Sequence, residues 1–129
     1  MVNDERILRR PTIVCFGTSI TRGHPYVPEE ETFPAILERR LNRKLKHERT
    51  EVSVVNSGVP GENTVEGLAR IEESVIAHRP ALTVVEFGCN DVRYEPHKRV
   101  ELADFATNLN EMLDRIGEVC AEIIVCTPL

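Results

Sequence analysis

The chain has no run approaching the ~20 consecutive apolar residues that a membrane-crossing helix needs. Met1 to Arg10 is polar and holds no apolar stretch of signal-peptide length. These absences predict a cytoplasmic protein without a membrane span. Cysteine is sparse, 4 in 129 residues, and no CxxC or mixed Cys/His spacing marks a zinc site. Cys15 and Cys126 fall inside apolar runs, where buried free thiols are common. Cys89 stands beside Asn90, but no base or helix start follows to make it a nucleophile. Neither a Gly-Lys-Ser/Thr ending nor a Gly-x-Gly-x-x-Gly run occurs, which counts against a nucleotide or phosphate binder. Positive charge is in deficit: 16 Lys+Arg face 21 Asp+Glu, for a net charge of -5. A nucleic-acid partner normally requires a basic face, so none is expected. No repeat, low-complexity tract or linker interrupts the sequence, and its length suits one domain. A single domain spanning residues 1–129 is the expectation.

What is present is an alternation of two periodicities. Thr12-Ile13-Val14-Cys15-Phe16 is a β-branched apolar run ended by Gly17, as in a buried strand. Phe33, Ile36, Leu37, Leu41 and Leu45 recur at helical spacing, with Thr32 as N-cap and Pro34 in the first turn. Val52 to Val55 reads as a second strand, ended by Asn56-Ser57-Gly58. Val65, Leu68, Ile71 and Val75 predict one helix, entered through Asn63 with Glu66 three residues on, a capping-box pattern, and stopped by Pro80. Leu82 to Phe87 is a third strand. Leu102, Phe105, Leu109, Met112, Leu113 and Ile116 predict a third helix, and Ile123 to Cys126 a fourth strand. Strands alternating with helices predict an α/β fold with a parallel sheet covered on both faces. Right-handed crossovers put all strand C-terminal ends on one edge, where ligands bind. Glu29-Glu30-Glu31 before the first helix and Arg39, Arg40, Arg43, Lys44 and Lys46 in and after its second half match the helix dipole. They read as a solvated face.

Three small motifs follow three consecutive strands on that edge. Ser19 lies just past Gly17, with Gly23 further on. A serine there can aim its hydroxyl into the crevice or simply bond local backbone, and as a nucleophile it needs a base. Gly58 and Gly61 follow the second strand. The N–H of Gly61 can approach a substrate oxygen closely because no side chain intervenes, although Gly and Pro also punctuate ordinary loops. Asn90 follows the third strand. Its amide can donate to an oxyanion or bond its own loop. Asp91 is expected to tie the loop together.

Taken in order, the three motifs resemble the SGNH hydrolases, the GDSL lipase/esterase/acylhydrolase family. Gly17-Thr18-Ser19 within Phe16 to Gly23 matches its first block, Asn56 through Gly61 to Thr64 its second, and Gly88-Cys89-Asn90-Asp91 its third. The resemblance implies a flavodoxin-like three-layer α/β/α sandwich with strand order 2-1-3-4-5. It implies a serine esterase or acylhydrolase acting on a small-molecule ester without metal or organic cofactor. By the same resemblance, Ser19 is the nucleophile and donates its backbone N–H to the oxyanion hole. The Gly61 N–H and the Asn90 side chain complete that hole.

Two departures stand out. Thr18 occupies the place of the family's usual Asp, which predicts a local rearrangement. The last block, Asp-x-x-His, which supplies the base and its orienting carboxylate, does not occur. The expectation is a fold cut after strand 4, lacking strand 5 and the final helix, and a chain poorly active in isolation. A fourth strand left at the edge would invite self-association through Ile123 to Cys126. The alternative is a non-catalytic binding module that keeps the crevice. His24 and His97 are the histidines on the functional edge that could replace the base. His47 and His78 are expected on the opposite edge, at the surface.

Overall fold

The computed structural model describes residues 8–128. Its centre is a sheet of four parallel strands in the order β2-β1-β3-β4. These are β1 (Thr12–Gly17), β2 (Ser53–Gly58), β3 (Leu82–Glu86) and β4 (Glu122–Cys126). The helices are α1 (Ser19–Arg22), α2 (Phe33–Lys44), α3 (Thr64–Ala69), α4 (Ile71–Ser74) and α5 (Leu102–Gly117), with short 3-10 turns at Glu29–Glu31, Lys46–Glu48 and Ile76–His78. The α/β class, the parallel pairing and the order 2-1-3-4 agree with the sequence reading.

The layers follow from the crossovers. The step from β1 to β2 runs one way across the sheet, and the steps to β3 and β4 run the other way. Right-handed connections therefore put α2 on one face and α3, α4 and α5 on the other. On the latter face Val14, Phe16 and Val85 pack against Ile71 and Val75 and against Met112 and Ile116. All seven are fully buried, which is why these strands read as apolar runs. Phe16 and Phe87 meet edge-on, ring centroids 5.0 Å apart, an arrangement favoured by the ring quadrupoles.

The helix expected from Val65 to Val75 is broken. Arg70 leaves helical geometry, with φ -115° and ψ 7°, and separates α3 from α4. Its guanidinium turns inward instead, to partners described below. Asn63 caps α3 as expected, its side chain accepting from the Glu66 N–H at 3.0 Å. The reciprocal half of the capping box is not formed, because the Glu66 carboxylate pairs with Lys98. Thr32 precedes α2 as expected, but its hydroxyl donates back to the Glu29 carbonyl at 2.8 Å and caps nothing.

Among the described residues β4 is one edge of the sheet and β2 the other, and in β4 Ile124 is 51% and Val125 45% exposed. Cys126, expected inside, is only half-buried for the same reason. Cys15 lies in the central strand and is fully buried. Burial, with a smaller contribution from Cys126, pushes its thiol up from 9.0 to about 12. The neutral thiol is thus the form that fits the fold. Its contribution to stability is full below pH about 9 and is lost as pH rises toward 12. Native protein treated with iodoacetamide at pH 8 should therefore be modified at Cys89 and Cys126 and spared at Cys15, with Cys15 reacting only after denaturation. Peptide mass mapping reads the result.

Candidate active site

Register sets the site. Gly17 at the end of β1 lies beside Gly58 of β2 and Glu86 of β3. The three loops carrying Ser19, Gly61 and Asn90 thus leave the sheet at one level. Backbone bonds fasten the first two together, as the Val59 N–H donates to the Gly17 carbonyl at 3.0 Å. Gly58 permits this closeness. A Cβ there would collide with the backbone of Thr18 and Arg22.

Ser19 is the first residue of the single-turn α1, behind Thr18 as N-cap. Its backbone N–H and its hydroxyl have no partner among the described residues. The turn is held from beneath by Glu86, which is only 7% exposed. One carboxylate takes donors from two residues of the turn. Thr18 Oγ1 lies 2.9 Å from both of its oxygens, and the Thr18 N–H donates at 3.0 Å. Thr21 adds its hydroxyl at 2.9 Å and its N–H at 3.3 Å. A buried carboxylate is tolerated only when so satisfied. This accounts for Thr18 in place of the usual Asp. The hydroxyl donates to Glu86, whereas an aspartate would set a second carboxylate against it. Sequence reasoning missed Glu86, although a charged residue closing the apolar run Leu82 to Phe87 was a visible signal.

Arg70 braces the second loop. Its Nε donates to Glu62 Oε2 at 2.6 Å, and one terminal nitrogen reaches the carbonyls of Gly17 and Ser57, each at 3.1 Å. The guanidinium also lies over the Phe16 ring, 4.8 Å from its centroid. Gly61, next to Glu62, has φ +81°, a conformation that favours glycine. Its N–H has no partner among the described residues.

The third loop meets the second at Glu62. Asn90 Nδ2 donates to the Glu62 carbonyl at 2.9 Å, while Asn90 Oδ1 accepts from Arg93 at 3.2 Å. Gly61 and Asn90 are thereby brought together. Ser19 is hydrogen-bonded to neither. Asp91 is a tie, as expected. Its Oδ1 accepts from the Thr64 N–H at 3.0 Å and the Thr64 hydroxyl at 2.6 Å, at the start of α3.

His24 and His97 are exposed, as are His47 and His78, and none is hydrogen-bonded to Ser19. A cleft of about 360 Å³ opens beside Ser19, walled by Ile20, Tyr26, Val27, Glu31 and Phe33. A second, of about 600 Å³, lies beyond Gly88 and Arg93, lined by Val92, Tyr94, Leu102 and Phe105. Among the described residues no group of three or more His, Cys, Asp or Glu could hold a metal, and no helix is long and apolar enough to cross a membrane.

Glu86→Gln should expose the dependence of the Ser19 turn on its carboxylate. The amide would present a donor where only donors face it, at a cost of about 1–3 kcal/mol. Urea denaturation of the variant and the parent protein measures that loss, and an unchanged midpoint would contradict it.

The GDSL-like Lipase/Acylhydrolase family matches residues 15–129. An arylesterase of Vibrio mimicus is 30% identical over 114 residues, which is 88% of this chain and 52% of that protein. The thioesterase 1/protease 1/lysophospholipase L1 of Escherichia coli is 30% identical over 80 residues, 62% of this chain and 35% of that one. Among solved structures, a lipase/acylhydrolase from Enterococcus faecalis is 33% identical with a TM-score of 0.69, over 92% of this chain and 57% of that one. An acetylxylan esterase from Geobacillus stearothermophilus superposes with a TM-score of 0.76 at 24% identity, over 95% of this chain and 62% of that one, a likeness of fold. The chain spans about half the length of the arylesterase and about a third of the thioesterase. With this match running from within β1 onward, and with the order of its strands, the chain belongs to the GDSL-like lipase/acylhydrolase family, the SGNH hydrolases.

Proposed function

We propose that the protein is a serine esterase or acylhydrolase cleaving small-molecule carboxylic esters at Ser19. The observation that carries this reading is the common level at which the three loops leave the sheet, Gly17 beside Gly58 and Glu86. Ser19 Oγ attacks the ester carbonyl and gives its proton to a base, the part played in the family by the Asp-x-x-His block, which residues 1–129 do not contain. The carbonyl π electrons move onto oxygen, giving a tetrahedral oxyanion. The N–H groups of Ser19 and Gly61, both without partners among the described residues, and the second Nδ2 hydrogen of Asn90 donate to it. Collapse expels the alcohol, which takes up the proton held by the base, and leaves an acyl-serine that water hydrolyses by the same route. Donors fixed before the charge appears stabilise it without reorganising, the largest single contribution in acyl transfer.

The substrate carries two arms, acyl and alcohol, and a cleft opens beside Ser19 for one of them. The arylesterase and the thioesterase that this chain resembles both transfer an acyl group to water. They support ester cleavage as the reaction class.

A second reading is a binding module that keeps the crevice without turnover. It is favoured by the Ser19 hydroxyl having no hydrogen-bond partner among the described residues.

A fluorophosphonate probe applied to protein made from the complete coding sequence separates the two. Labelling that disappears in Ser19→Ala is the expected outcome. Labelling that persists in that variant sinks the serine assignment, and no labelling of the parent protein supports the binding module. Asn90→Ala should reduce kcat by about 10²–10³ with little change in KM.

A further inference from the structure

We propose that Arg93 is a positioning residue of the oxyanion hole, holding the Asn90 amide in the orientation that leaves one Nδ2 hydrogen for the substrate. The inference rests on the esterase reading above. An asparagine amide has two faces that differ only in which end donates, and a flip would put a carbonyl oxygen where the oxyanion must bind. Two neighbours fix the choice independently. Arg93 has donors only, so the atom 3.2 Å from its terminal nitrogen must be Oδ1. The Glu62 carbonyl has lone pairs only, so the atom 2.9 Å from it must be Nδ2. Together they take up one Nδ2 hydrogen and leave the second without a partner among the described residues.

The position of Arg93 suits this work. It is half-buried, in the loop that begins at Asn90. Its guanidinium lies against Gly61, where a Cβ would be 3.4 Å from the same terminal nitrogen. It therefore touches the side chain of one proposed oxyanion donor and flanks the backbone of another. No carboxylate is paired with Arg93 among the described residues, whereas Arg70 on the far side of Glu62 is neutralised by it at 2.6 Å. No ion pair among the described residues therefore draws its guanidinium away from the Asn90 amide. Nothing in the Gly-x-Asn-Asp block requires an arginine three residues after its asparagine.

A residue that acts through Asn90 must lose its effect when Asn90 is gone, which a double-mutant cycle detects. The measurement is steady-state hydrolysis of p-nitrophenyl acetate by protein made from the complete coding sequence. The set is the parent, Arg93→Met, Arg93→Lys, Asn90→Ala, Asn90→Ala/Arg93→Met and Ser19→Ala, each checked for an unchanged melting temperature. Arg93→Met should lower kcat about tenfold at constant KM, the scale of one charge-assisted hydrogen bond acting on a barrier. Arg93→Lys, which keeps a donor and a charge, should recover part of that loss. In the Asn90→Ala background, Arg93→Met should change kcat less than twofold. Parental kcat in Arg93→Met overturns the inference. So does an equal fold-loss in the Asn90→Ala background, a loss confined to KM, or a lysine variant as slow as the methionine one. Hydrolysis undiminished in Ser19→Ala would instead refute the esterase reading itself.

Discussion

The turn that carries Ser19 depends on one buried carboxylate. Glu86 ends the strand beside β1 and faces the turn that carries Ser19. Its oxygens gather the hydroxyls and N–H groups of Thr18 and Thr21. A carboxylate so deep would be costly alone, and a tight turn with unanswered N–H groups would be costly too. Each removes the penalty of the other. The Ser19 N–H stays unengaged because Glu86 binds the donors on either side of it.

The second and third loops use cations for the same purpose. Arg70 leaves the helical path to reach Glu62 and the carbonyls of Gly17 and Ser57. Glu62 in turn offers its own carbonyl to Asn90. A line of charged and polar groups therefore runs from the end of β1 to the asparagine of the third loop. It lies on an apolar floor, since Arg70 covers Phe16 and Phe16 meets Phe87. Backbone geometry places Gly61, and side chains place Asn90.

The contrast between these groups and the strands explains what could be read from the sequence. The alternation of strands and helices, helix phase and the three loop positions follow from periodicities within short windows, whereas the order of strands in the sheet came with the family resemblance, and Val14, Phe16, Ile71 and Ile116 fall where those periodicities put them. Ser19, Gly61 and Asn90 were legible because each follows a strand end. Glu86, Arg70 and Arg93 were not, because each acts through partners chosen in three dimensions. Glu86 and Thr18 are 68 residues apart, and no local pattern joins them. The helical spacing from Val65 to Val75 was real, yet tertiary bonds at Arg70 outweighed one turn of helix. Cys126 was placed inside by its apolar neighbours, but those neighbours lie on an edge strand.

The same separation orders the assembly of the protein as it is synthesised. β1 emerges first and has no strand to pair with until Ser53 and its neighbours follow. Pairings this distant in sequence form slowly, since loops must close before contacts reward them. The donors of Thr18 and Thr21 wait longer still, until residue 86 arrives beside Gly17. A nascent chain can thus carry a complete Gly-Thr-Ser sequence and half its sheet without a formed Ser19 turn. Ser19 precedes β2 and β3, but the geometry of its turn is completed by Glu86, so that turn matures only with the third strand.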